Sequence, residues 1–168
     1  MSDAYHRYRA IRQALMQCIS VRTHSHAEGH LNTLTMIICG IVGSGQVQLP
    51  KIAAQAPGGG TAHESQVIRY RRWLLNESIS VEQWMLPVAQ ALLHVLAAQP
   101  LRLVMDGSTV GRGCMALMVS VVYHGRALPL VWMVVQGKKG HLSEELHGEL
   151  LAQVQAIVPA EATVIFLG

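Results

Sequence analysis

Aspartate is almost missing from this chain: Asp3, near the amino terminus, and Asp106 are the only two in 168 residues. No second aspartate stands near either one, so a carboxylate pair made of neighbouring aspartates is excluded. Charge of both signs is sparse, at 14% of residues, whereas hydrophobic residues reach 51%. That balance excludes a disordered, solvating chain and implies a globular protein that buries most of itself. Cysteine is scarce too. Cys18, Cys39 and Cys114 lie far apart with no CxxC pair, which excludes a zinc ribbon and suggests no disulfide framework, and they read as small buried residues. No apolar run is long enough to span a membrane: Leu31 to Val42 is too short, and the runs between Cys114 and Val135 are cut by Tyr123, His124, Gly125 and Arg126. No apolar core follows Arg7, Arg9 and Arg12, so a signal peptide is not expected and a cytoplasmic protein is.

What is present divides at Pro100. The first 100 residues hold eight Lys and Arg against five Asp and Glu, and the remainder holds five against five, so the whole excess of +3 sits in the first part. A nucleic-acid partner would meet that part first. Its apolar residues recur at three and four, with breakers gathered in clusters. This spacing predicts helices near 3–21, 31–42, 50–56, 65–76 and 81–98, the fourth opened by Ser65. After Pro100 the texture becomes that of strands. LRLVM, CMALMVSVVY and ALPLVWMVV read as three strands, with HGR as a tight turn between the second and third. An amphipathic helix follows, capped by Ser143, and ATVIFL is a fourth strand. The fold class expected is α+β: a helical region over 1–98, then an antiparallel meander whose helical crossover sets the fourth strand parallel beside the first over 101–168. That order is the opening of the ribonuclease H-like fold.

Asp106 ends the first of these strands on this reading. Two roles are open for it: a carboxylate that caps the Gly107-Ser108-Thr109 turn, or a catalytic group. Gly107, Gly111 and Gly113 suit a hairpin turn better than a phosphate loop, since no helix opens after them and no GxxxxGK pattern is present. In the helical region, LPKIAAQAPGGGTAHESQVIRYRRWLLN reads as two helices around a glycine-rich turn. On a helical wheel Arg69 and Arg72 form a basic stripe with Asn76, opposite Val67, Ile68, Tyr70, Trp73, Leu74 and Leu75. Arg71 falls inside the apolar arc, where it must snorkel or find a phosphate or carboxylate. The stripe reads either as a solvated face or as a contact to DNA. His24, His26 and His30 are expected in one loop, without the cysteines or second ligand pair that would make them a metal centre. His94, His124, His141 and His147 read as surface or capping residues.

LVMDGSTVGRG, MVSVVYHGRALPLVW and GKKGHLSEE resemble the catalytic core of DDE transposases from bacterial insertion sequences, in particular the IS-four group. The likeness runs in order from about Leu31 to Gly168, and its specific part is Leu103 to Ser143, with GRALPL the most telling piece. The resemblance implies metal-dependent DNA transposition, in which Mg²⁺ held by carboxylates supports phosphoryl transfer. It makes Asp106 the first catalytic, metal-binding aspartate. In the family a second aspartate follows the fourth strand and a glutamate stands in a later helix. Neither has a counterpart here, and Glu144, Glu145 and Glu149 lie on the wrong helix to replace the glutamate. The expectation is therefore an amino-terminal portion of such an enzyme, inactive in cleavage alone. Its helical region would contact duplex DNA at element ends through Arg69, Arg71 and Arg72, and a homodimer is an expected assembly. Two other classes stay open: a non-catalytic DNA-binding or dimerising regulator, and an actin-like or sugar-kinase-like ATPase. The latter usually begin with the strand that bears the aspartate.

Overall fold

The structure, a computed structural model, describes residues 3–19, 25–57, 62–137 and 142–167. The chain forms two compact units, Met1–Ser80 and Val81–Gly168. In the first, α1 (Asp3–Cys18), α2 (Ser25–Ser44), α3 (Leu49–Gln55) and α4 (His63–Leu74) are the helices described. The long α2 owes its close packing to small residues. A Cβ at Gly40 would collide with the carbonyl and side chain of Ile52 on α3, and one at Gly43 with the Arg7 guanidinium from α1. Pro50 sits in the first turn of α3, where its missing N–H breaks no helical bond. Ile37, Ile52, Ala53, Ala56 and Tyr70 form the core where α2, α3 and α4 meet. The expected cap at Ser65 is not used: α4 opens at His63 behind Ala62, and no side chain caps it.

The second unit begins one helix earlier than the change of texture at Pro100. Helix α5 (Val81–Leu96), which the sequence pattern groups with the helical region, supplies Ala89 and Leu93 to the core of the sheet. The division between the two units falls at Ser80/Val81. A helix pattern alone does not reveal which neighbour receives its apolar face. Strands β1 (Leu101–Gly111), β2 (Cys114–Tyr123) and β3 (Arg126–Gln136), helix α6 (Glu144–Ile157) and strand β4 (Val164–Leu167) follow. The sheet order is β3-β2-β1-β4, with β1 antiparallel to β2 and parallel to β4, so the fourth strand does lie beside the first. The protein is an α+β protein with a mixed four-stranded sheet among the described residues.

Local chemistry fixes the register. Both hairpins turn on two residues at positive φ, Arg112 and Gly113 in one, His124 and Gly125 in the other, the backbone twist that suits tight hairpins. In β3, Pro129 falls at the register shift opposite Ser120. A residue without an N–H is tolerated there because β3 is an edge strand and the ladder is already broken. Leu101 and Leu103 of β1, Leu117, Val119 and Val121 of β2, and Leu150, Val154 and Ile157 of α6 share one core. Helices α5 and α6 therefore cover one face of the sheet. Ser143 caps α6 as expected, its hydroxyl accepting from the Leu146 N–H at 3.5 Å.

Candidate functional site

Asp106 does not end its strand. β1 continues through it to Gly111, and Asp106 stands opposite Met118 in the ladder with β2. The run of glycine, serine and threonine after it suggested a turn, but pairing with β2 outweighs those weak local preferences. Gly113 is one of the two turn residues and Gly111 ends β1 just before them, whereas Gly107 lies inside the strand. Alternation puts Leu101, Leu103 and Met105 toward the helices and Arg102, Val104, Asp106 and Ser108 on the opposite face. The carboxylate is exposed, and its Oδ2 accepts from the Ser108 hydroxyl at 3.2 Å. Asp106 also borders a cleft of about 270 Å³ with Met105, Gly107, Met115, Leu117, Leu142 and His147. His147 is committed locally, one ring nitrogen lying 2.8 Å from the Ser143 carbonyl oxygen.

Among the described residues no three His, Cys, Asp or Glu side chains gather into a metal-binding group. Mg²⁺ takes oxygen donors, usually more than one carboxylate when the protein holds it. Asp106 and the Ser108 hydroxyl do not amount to that set, so these residues alone do not form a magnesium site. His24 lies outside the described residues, as do the side chain of His26, the whole of His141 and the glycines of the turn before α4. Of the cysteines only Cys39 is buried. Cys18 and Cys114 are half-buried, against the expectation for all three.

The helix α4 is rolled relative to the wheel drawn from its sequence. Its buried face is Gln66 and Tyr70, with Trp73 partly covered beside them. Ile68 and Leu75, assigned to the apolar side, are 47% and 74% exposed. Gln66 displaced Ile68 from the core, which hydropathy could not foretell. As a result Arg71 is not enclosed by apolar side chains. It is exposed, like Arg72, and neither has an ion-pair or hydrogen-bond partner among the described residues.

Arg69 differs from both. Its Nε and one Nη donate to the Thr33 Oγ1 on α2 at 3.2 and 2.9 Å. That buried hydroxyl in turn donates to the Gly29 carbonyl at 2.9 Å, so both its accepting and donating capacity are used. The continuous stripe of Arg69 and Arg72 thus becomes a tether at Arg69 and two free guanidinium groups at Arg71 and Arg72. Elsewhere in this unit Arg7 pairs with Asp3 at 2.9 Å and Arg12 with Glu28 at 3.0 Å, and Arg9 stacks over Tyr5 at 5.3 Å.

Among the described residues no single helix is long and apolar enough to cross a membrane. No family model, no curated protein and no solved structure matches the chain.

Proposed function

We propose that this chain is the DNA-binding and opening catalytic part of a DDE transposase, with the second unit the start of a ribonuclease H-like domain and Asp106 its first metal-binding carboxylate. The observation that carries the reading is the position of Asp106 on an interior strand, between antiparallel β2 and parallel β4. The register adds to it. Val104 pairs with Leu167, so a strand continued two residues beyond Leu167 would set its side chain next to Asp106 on the same face. A second carboxylate after the fourth strand, as the resemblance implies, would meet Asp106 there. The helical unit supplies the DNA contact, supported by the excess of basic residues before Pro100 and by the free guanidinium groups of Arg71 and Arg72.

Two measurements test this. Binding of the chain to duplex DNA should weaken as salt rises, and Arg71→Ala/Arg72→Ala should flatten the slope of log K against log salt by up to about 1.8. Absence of binding, or an unaltered slope in the double variant, would remove the DNA-contact assignment. The chain alone should neither nick nor join DNA in Mg²⁺ or Mn²⁺. Joined to the carboxylate-bearing continuation of a transposase of this group it should cleave, and Asp106→Asn should abolish that cleavage while leaving duplex binding intact. Cleavage that survives Asp106→Asn would refute the role given to this residue.

A further inference from the structure

Ile68, Arg71, Arg72 and Leu75 follow one another at three, four and seven residues, the spacing of a single helix face. All four are exposed, Leu75 at the C-cap included. Core packing explains none of them, because the inward face of α4 is occupied by Gln66, Tyr70 and the partly covered Trp73. Two large aliphatic side chains left in water beside two unpaired guanidinium groups make a mixed apolar and cationic surface. Glu64, exposed and one turn toward the amino end from Ile68, brings the opposite charge to that end, so the surface lies in the carboxy-terminal half of the helix.

Resting on the reading of the helical unit as a DNA-binding element, we infer that this face enters the major groove of duplex DNA and reads thymine methyl groups through Ile68 and Leu75, with Arg71 and Arg72 on the flanking phosphates. The charges are complementary, and a groove about 12 Å wide admits a helix. The thymine methyl is the apolar feature that a base edge presents there. Aliphatic side chains offer it dispersion and burial but no hydrogen bond, so the readout favours thymine-rich duplexes without specifying a long sequence. Arg69 stays off the DNA. Its bonds to Thr33 hold α4 against α2, and it acts as a positioning residue.

The test uses the full chain and two defined duplexes, alternating poly(dA-dT) and the same polymer with deoxyuridine in place of thymidine, which lacks only the methyl. Wild-type protein should bind the thymidine duplex more tightly, by about fourfold for each methyl contacted. Ile68→Ala/Leu75→Ala should bind both duplexes alike while keeping the salt slope and melting temperature of the wild type. Equal wild-type affinity for the two duplexes would overturn the inference while leaving the DNA-binding reading standing. Discrimination that persists in Ile68→Ala/Leu75→Ala would overturn it as well, since the methyl would then be read elsewhere. A change in self-association with no change in DNA affinity would assign the face to protein contact. Failure of the wild type to bind either duplex would end both readings together.

Discussion

Tyr70 is fully buried on α4, and among the described residues its hydroxyl has no hydrogen-bond partner, nor do the Gln66 side-chain oxygen and the Trp73 indole nitrogen on the same side of the helix. An unanswered buried hydroxyl costs about 1–3 kcal/mol in lost hydration. Tyr70→Phe, which keeps the ring, should therefore leave stability at neutral pH unchanged or raise it by about 1 kcal/mol. The alkaline limb gives an independent readout. Burial pushes the Tyr70 hydroxyl above its ordinary value of 10.0, with the nearby Arg69 opposing in part. Above the ordinary value the unfolded chain loses this proton while the folded chain keeps it, so the unfolded state binds fewer protons and stability falls as pH rises. The contribution is fully present below the unfolded value and is lost as pH climbs toward the folded one. Cys39, raised by burial from 9.0, acts with the same sign, so the test is the difference between wild type and variant. Denaturant unfolding from pH 8 upward should show a shallower alkaline decline in Tyr70→Phe. Parallel declines would mean that Tyr70 ionises in the folded state as readily as in the unfolded one.

At the scale of elements the sequence was most legible where periodicity and turn chemistry acted together. The span of β2, the two tight turns and the Ser143 cap follow from a bounded apolar run, glycines between strands and a hydroxyl before a helix. Less legible were features decided by a partner. β1 runs through Asp106 and Gly107 because β2 pairs with it, and α4 rolls until Gln66 is buried and Ile68 is not. Asp106 could be singled out because aspartate is so rare, but the tether from Arg69 to Thr33 joins residues 36 apart in sequence and left no local signal. Glycines in α2 are another case of partner control. Among the described residues nothing lies near a prospective Cβ at Gly29, whereas one at Gly40 would meet the backbone of Ile52. Gly29→Ala should then stabilise by about 0.5–1 kcal/mol through helix propensity. Gly40→Ala should destabilise by about 1–3 kcal/mol, because α3 must move away. Urea midpoints of the two variants decide the matter, and shifts of the same sign would mean that the approach of α3 to α2 is not what requires glycine at 40.

For the molecule as a whole, the exposed strand edge matters more than net charge. β4 pairs with β1 on one side and with no described strand on the other, and Ile165 and Phe166 remain 42% and 46% exposed. An apolar edge with unpaired N–H and C=O groups is a template for another chain, which proteins usually blunt with lysine, proline or a bulge. Val164–Leu167 carries none of these. The chain is therefore expected to self-associate through β4, a homodimer being the smallest product. Phe166 also lines a second cleft, separate from the one at Asp106, beside Leu151 and Val154 of α6, so replacing it would disturb the sheet unit as well as its edge. Ile165 is the better probe: it pairs with exposed Arg102, away from the face that the helices cover. Ile165→Lys places a charge on the edge without opening the core, and should raise the monomer fraction at equal concentration while preserving the far-ultraviolet spectrum. Sedimentation velocity over a concentration series measures both species. A wild-type chain that stays monomeric into the high micromolar range would show that the edge is already protected, and association unaffected by Ile165→Lys would move the contact to another surface.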